Sequence, residues 1–442
     1  MSILAVDAGS SAVKAAIVRG GRIVCGPVRV DFPTVFAENR AEADAGVILA
    51  AIRRAIHDLG DRARRVDAVV PDNMSPSWLA MDRRGRPLTP VITHQDRRSV
   101  EVARRLLQRL AAAEHLRLAG NLPFPGSISS TTLAWHLENA PQVMRRADLV
   151  GHLNTFLHRY LTGARVTDPS NASFMGLYST LDLSGWNAQL CETVGVSPNL
   201  LPEVRQASDL AGTLLPQAAR DLGLTAGTPV LAGFMDTSAA ILMSGMRHGQ
   251  LINSCGSTDV LALCTDQPRP HERLLTRAVG AGRKWVSVST IAAAGSALLW
   301  AARELFADFT MRRFRRLLAR LADRPRRTSV RFENYLAGDR MSIEQRQAAF
   351  TGLTLAATRE DLLSAIIESL AAASAQRLDL LRQGGVRILP TVLVTGGLQS
   401  DLHRVLHRDW PGRWTFRTVR EATFQGLWRL YEIHRRGATL SA

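Results

Sequence analysis

The chain opens on short apolar runs divided by glycine turns. Ile3-Leu4-Ala5-Val6 and Ala12 to Val18 have the length of strands and meet at Gly9. A third run, 22–30, follows Gly20-Gly21, so the spacing predicts a three-strand meander. The period then changes: Ile48, Ile52, Ala55, Ile56 and Leu59 recur at helical spacing, and Gly60 supplies a stop. Val66 to Val70 predicts a short buried strand, and 99–110 and 131–161 predict mostly helix, interrupted by a Pro/Gly loop around Gly120 to Gly126. Thr228 to Gly233 predicts a strand that ends at a joint, which puts a domain boundary near Ala232. A second glycine hairpin is predicted over 251–263. Thr358-Arg359-Glu360-Asp361 resembles a capping box, followed by Leu362, Leu363, Ile366, Ile367 and Leu370 on one helical face as far as Gly384-Gly385. A buried strand, Thr391 to Val394, then runs into Thr395-Gly396-Gly397 and a helix over Asp401 to His407.

The two hairpins share a pattern. Gly9-Ser10-Ser11-Ala12-Val13 and Gly256-Ser257-Thr258-Asp259-Val260 both read Gly-Ser-Ser/Thr-x-Val between apolar strands. Glycine lets backbone approach a ligand closely, and turn amides and hydroxyls can hold phosphate oxygens. Two such loops, one in each half, predict a duplicated fold that grips a polyphosphate from both sides. The strand, glycine turn and helix at 391–407 form a nucleotide-edge arrangement, with free amides and a positive dipole end at the helix start.

Composition adds less than the charge suggests. The chain has 442 residues, 46% hydrophobic and 21% charged, as in a globular protein of two or three domains. The net charge of +16 raises a nucleic-acid reading. Of 55 basic residues, however, only Lys14 and Lys284 are lysines, so arginine has replaced lysine throughout, a compositional bias and not a localised patch. The densest run, Arg312-Arg313-Phe314-Arg315-Arg316 through Arg331, carries Phe314, Leu317, Leu318 and Leu321 at helical spacing and predicts an amphipathic helix with a solvated basic face. The four cysteines follow no zinc or disulfide pattern, and no run approaches the ~18–20 apolar residues that span a bilayer. A cytoplasmic protein without nucleic-acid or membrane partners is the expectation; the oligomeric state stays open, a homodimer included.

Five residues can carry chemistry, each with a structural alternative. Asp7 ends an apolar strand just before the glycine turn, where a carboxylate can hold Mg²⁺ beside phosphates or simply bond its own loop. Lys14 faces the same side as Ala12 if the hairpin has no bulge, toward a ligand or toward solvent. Asp236 lies alone in the apolar run Pro229 to Met243, as a general base or as the cap of a helix over Thr237 to Met246. Asp96 and Arg98 form either a polyol-recognising pair or a surface ion pair.

At these residues the chain resembles the FGGY carbohydrate kinases of the actin-like ATPase superfamily, over nearly its full length. Asp7-Ala-Gly-Ser-Ser-Ala-Val-Lys14 is similar to the family's first phosphate motif, His94-Gln-Asp-Arg-Arg98 to its sugar motif, and Thr167-Asp-Pro-Ser-Asn-Ala-Ser173 to its Thr-Asp-x-Ser-Asn-Ala-Ser signature. Gly233-Phe-Met-Asp236 stands where the catalytic Asp is expected, Cys255-Gly-Ser-Thr258 resembles the second phosphate loop, Tyr335 to Arg340 resembles Tyr-Leu-x-Gly-Glu-Arg, and Thr395-Gly-Gly397 resembles the adenosine motif. Gly120-Asn121 and Pro125-Gly126 resemble a loop of xylulose kinases. The resemblance implies an α/β fold of two actin-like ATPase (ribonuclease H-like) domains with a cleft between them. The first, 1–232, would hold sugar and the first phosphate loop; the second, 233–442, the catalytic Asp, second phosphate loop and adenosine motif.

It also implies ATP and Mg²⁺, with Asp7 on the metal and Asp236 as catalytic base. Gly9, Ser10, Ser11, Lys14, Gly256, Ser257, Thr258, Gly396 and Gly397 would meet ATP; Met74, Ser75, Asp96, Arg98 and Asp236 would meet a sugar or polyol such as xylulose. Four departures bear on this. Leu398 and Gln399 replace the adenosine motif's usual Gly-Ala, Phe234 replaces a small residue, His94 replaces a Trp, and Asn73-Met74-Ser75-Pro76 stands for Gln-Met-His-Gly, without its sugar-contacting His. They motivate a rival, a degenerate member that binds sugar or nucleotide as a sensor. A second rival, an arginine-rich nucleic-acid binder, rests on charge alone.

Overall fold

The computed structural model describes residues 1–396 and 400–437. They form two compact units: Met1–His248 with Cys264–Ser287 and the chain from Glu421 onward, and Gly249–Leu263 with Val288–Arg420. The fold is α/β in both.

The predicted meander forms as Ile3–Ala8, Ala12–Arg19 and Arg22–Asp31, each antiparallel to the next. Ile3–Ala8 also pairs in parallel with Ala68–Asn73, the strand expected over 66–70, displaced by a few residues and extended through Asp72. Pro229–Leu231 and Leu210–Thr213 continue the sheet, and Phe234–Met235 joins Ala68–Asn73 at its far end. The helix Ala45–His57 starts on Asp44, whose carboxylate accepts the Val47 N–H at 2.8 Å, and buries Ile48, Ile52, Ala55 and Ile56 in the core of this sheet. Each isoleucine side chain removed from water is worth about 1.5–3 kcal/mol, and the Ala55 methyl less.

The stretch 131–161 is less helical than its composition predicts. Helices Ser130–Asn139 and Leu153–Thr162 are separated by a short helix and by a strand, Leu149–Gly151, antiparallel to Ser77–Met81. The apolar triplet is buried on a sheet edge, and tertiary pairing overrides helix propensity there.

The second unit repeats the arrangement of the first. The hairpin Leu251–Cys255 and Asp259–Thr265 is antiparallel, and its first strand pairs in parallel with Thr391–Thr395, as Ile3–Ala8 pairs with Ala68–Asn73. The capping box forms at Thr358 and Asp361, opening the helix Arg359–Gln383. The basic run is the helix Met311–Asp323 with Phe314, Leu317, Leu318 and Leu321 buried. Arg320 and Arg326 pair with Glu360, so part of its charge is satisfied within the unit. Among the described residues no helix is long and apolar enough to cross a membrane.

Candidate active site

The first sheet sets a row of charge. Strand register places Asp7 opposite Lys14 on one side and opposite Asp72 on the other. Paired residues of neighbouring strands present side chains on one face, so the three stand together. Asp236 follows from the local chain. Phe234 pairs with Asp72 and Met235 with Asn73, and the helix Asp236–Met243 begins at the next residue. The approach is tight. Gly233 has φ +64°, and a Cβ there would lie 2.0 Å from the Pro71 carbonyl oxygen.

We expect Gly233→Ala to destabilise the chain by about 2 kcal/mol or more, through its left-handed backbone and this backbone clash. A melting temperature equal to wild type would contradict that contact.

Asp236 accepts from the Thr237 backbone N–H at 2.6 Å and the Thr237 hydroxyl at 3.0 Å. It lies in the first turn of its helix, and the cap position is Met235. This differs from the predicted cap: the helix starts one residue earlier, and the carboxylate bonds only its neighbour. That leaves it partly exposed, with one oxygen unengaged by these bonds. The helix packs on Ala422–Arg436, where a Cβ on Gly426 would come within 2.1 Å of the Ala239 carbonyl oxygen.

Carboxylates outnumber cations in this cluster. Burial, then the nearby charge of Asp236, pushes the Asp7 carboxyl up to about 6. Asp72 is raised well above the ordinary carboxylate range, by burial first and by Asp7 next. Lys14 lowers Asp7 in turn, and its Nζ also reaches Glu421 at 3.4 Å. Glu421 holds a left-handed backbone, φ +48°, at the start of Ala422–Arg436, an uncommon conformation for a residue with a side chain. Arg277 is buried, bonds the Ser238 hydroxyl at 2.6 Å, and burial lowers its guanidinium to about 10. Asp236 and Asp168 are its nearest opposite charges in effect.

The sugar-motif residues form a second group in the same unit. Asp96 is not a surface group: it is 1% exposed, accepts the Ala41 N–H at 2.8 Å and pairs with Arg98. Arg98 also pairs with Glu42, and its guanidinium lies 5.2 Å from the Trp135 ring centre. The surface ion pair is therefore corrected to a buried one, and Asp96 is filled by protein donors. Met74 is buried. The Ser75 hydroxyl lies 3.2 Å from His152 Nδ1, whose other ring nitrogen lies 2.9 Å from Ser129 Oγ. Burial lowers His152 to about 3, so it is neutral. The signature segment braces this edge. Asp168 accepts the Ser170 N–H at 2.8 Å and the Asn171 amide at 2.6 Å, and Asn171 and Asn73 exchange bonds at 3.1 and 3.2 Å.

In the second unit Ser257 is exposed between Gly256 and Thr258. The Ser257 carbonyl accepts the Ala294 and Ser296 N–H groups at 2.9 and 3.2 Å, which fixes the turn. Gly396, φ +110°, lies against it: a Cβ there would be 2.1 Å from the Cys255 carbonyl oxygen. Gly9 closes the first turn with its own N–H on the Ala12 carbonyl at 3.0 Å, and Ser10 and Ser11 are exposed. Gly397, Leu398 and Gln399 lie outside the described residues.

Sequence reading passed over Asp72, Glu421, Arg277 and His152. Only Asp72 left a signal: it ends an apolar strand, as Asp7 does.

Models of the FGGY family of carbohydrate kinases match the chain twice, the N-terminal domain over residues 2–243 and the C-terminal domain over 251–406. The chain belongs to the FGGY family of carbohydrate kinases. It is 29% identical over 273 residues to the xylulose kinase of Streptomyces coelicolor, covering 61% of this chain and 55% of that one. It is 26% identical over 371 residues to the xylulose kinase of Escherichia coli, 82% of this chain and 75% of that one. The gluconokinase of Bacillus subtilis is 23% identical over 383 residues, 83% and 74%. The match to the Streptomyces protein thus spans about half of that relative's length.

Two crystal structures share the family fold. Ligand-bound xylulose kinase of Lactobacillus acidophilus superimposes with TM-score 0.85 at 19% identity, covering 99% of this chain and 90% of that one. Xylulose kinase of Rhodospirillum rubrum gives 0.83 at 21%, covering 100% and 91%. At these identities the likeness to both is one of fold.

Proposed function

We propose that this FGGY family member transfers the γ-phosphoryl group of ATP to a hydroxyl of a small sugar or polyol, a ketopentose such as xylulose first. The observation that carries this reading is the carboxylate pair Asp7 and Asp236, close enough for one charge to shift the other's pKa, beside Lys14 and the exposed hydroxyls of Ser10 and Ser11. Asp236 accepts the proton of the acceptor hydroxyl as its oxygen bonds the γ-phosphorus and the bond to ADP breaks. The partly exposed carboxylate, with one oxygen outside its two bonds to Thr237, suits that role.

The excess negative charge around Asp7 fits a magnesium ion, and Asp7 is the residue to hold it. When bound, Mg²⁺ neutralises phosphate charge. Gly9, Ser10, Ser11 and Lys14 are the residues of this unit to hold phosphate oxygens, and Gly256, Ser257, Thr258 and Gly396 are the ATP-binding residues of the second, with Gly397 from the same motif. Little covalent chemistry is asked of the protein, so positioning and charge stabilisation dominate. The reaction belongs where ATP is, in the cytoplasm.

The xylulose kinases among the relatives favour a ketopentose, and the gluconokinase keeps a sugar acid in view. A coupled ADP-release assay with Mg²⁺-ATP over xylulose, ribulose, gluconate and glycerol tests the reading. Acceptor-dependent ADP release is expected with at least one ketopentose. Thermal stabilisation by sugar and nucleotide with no ADP release favours the sensor, and release with none of the panel overturns the ketopentose assignment.

A further inference from the structure

Asp72 has an unusual environment for a carboxylate. It is 1% exposed, no N–H or hydroxyl meets either of its oxygens among the described residues, and the group within hydrogen-bond reach is the Asp7 carboxyl. A buried carboxylate without donors costs several kcal/mol. Its neighbours do not compensate. On one strand it pairs with Asp7, another carboxylate, and on the other with Phe234. Lys14 lies beyond Asp7 and extends to Glu421. The adjacent Asn73 gives its amide to Met74 and Asn171. Asp236 adds negative charge. A proton shared with Asp7, or a cation between the two carboxylates, would relieve them.

We propose that Asp72 is a second carboxylate of the divalent-cation site at Asp7, meeting the ion directly or through one water. This rests on the cation reading of Asp7 given above. Register sets the two side chains side by side on one sheet face, the arrangement in which a hard cation takes an oxygen from each. No group of three or more carboxylate, histidine or cysteine ligands occurs among the described residues. The rest of the shell is therefore left to water and phosphate oxygens, as is common for Mg²⁺ held by one or two carboxylates. Such an ion would remove the repulsion that Asp7 and Asp72 impose on each other.

The test is Mn²⁺ binding to the purified full chain, read by electron paramagnetic resonance with and without ADP. Asp72→Asn is expected to weaken Mn²⁺ about 10- to 100-fold, the range for losing a group that supports a metal site. Asp7→Asn is expected to weaken it at least as much. Mg²⁺ should raise the melting temperature of Asp72→Asn less than that of wild type, because one carboxylate of the pair is gone. Wild-type affinity in Asp72→Asn with loss in Asp7→Asn overturns the role of Asp72 and leaves the cation at Asp7. Wild-type affinity in both, or no Mn²⁺ bound to the wild type in either condition, overturns the cation reading itself. Asp72→Ser gives the same comparison if the Asn variant does not fold.

Discussion

Asp236→Asn is expected to lower sugar phosphorylation by about 10²–10⁴-fold, the usual contribution of a positioned general base. The fold should survive. Among the described residues the Asp236 carboxylate bonds Thr237, through its N–H and its hydroxyl, and its helix keeps Met235 as the cap. The substitution even removes a charge that raises Asp7 and Asp72, so stability should hold or rise slightly. A loss confined to kcat, with KM for sugar within a few-fold, marks an interaction made only in the transition state. Near-wild-type turnover in a folded Asp236→Asn variant would sink the assignment of the base. Asp236→Ala should behave alike, which separates loss of the carboxylate from any defect of the amide.

The two glycine hairpins and the run before Asp236 were legible because their chemistry is local. Glycine turns, apolar alternation and a lone acid in an apolar run all sit within a few residues of each other. The strand pairing that brings Asp7 beside Asp72 was not, since it joins positions 65 residues apart in register. Glu421 was further out of reach. It meets Lys14 across 407 residues, and its left-handed backbone leaves no trace in composition. Asp96 shows the opposite error. A His-Gln-Asp-Arg-Arg segment reads as surface, yet the Ala41 N–H and Arg98 satisfy the carboxylate and make burial affordable. Leu149–Gly151 failed for a similar reason, as its strand exists only because Ser77–Met81 offers an edge.

The second hairpin carries the largest stability effect expected in the chain. Asp259 and Cys255, which distinguish this loop in sequence, anchor a buried network beneath it. Arg377, from the helix Arg359–Gln383, pairs with Asp259, which is fully buried. Asp259 in turn accepts the Asn253 amide at 2.7 Å, and Asn253 Oδ1 takes the Cys255 thiol at 3.0 Å and His407 Nε2 at 2.7 Å. Burial lowers His407 to about 4, so the ring is neutral, and it stacks on Phe416 at 4.3 Å. Both arms of the hairpin are therefore tied to one guanidinium, with Gly256, Ser257 and Thr258 spanning the gap. Arg377→Met leaves Asp259 as a buried charge with only the Asn253 amide, which should cost about 3–5 kcal/mol in urea unfolding. Asp259→Asn combined with Arg377→Met removes both charges and should recover more than half of that loss. In whatever fraction of Arg377→Met stays folded, KM for ATP should rise more than kcat falls, because the loop is displaced while Asp236 is not. Equal stability of Arg377→Met and wild type would show that the network carries no energy, and the loop would then owe its position to the bonds of Gly256, Ser257 and Thr258 themselves.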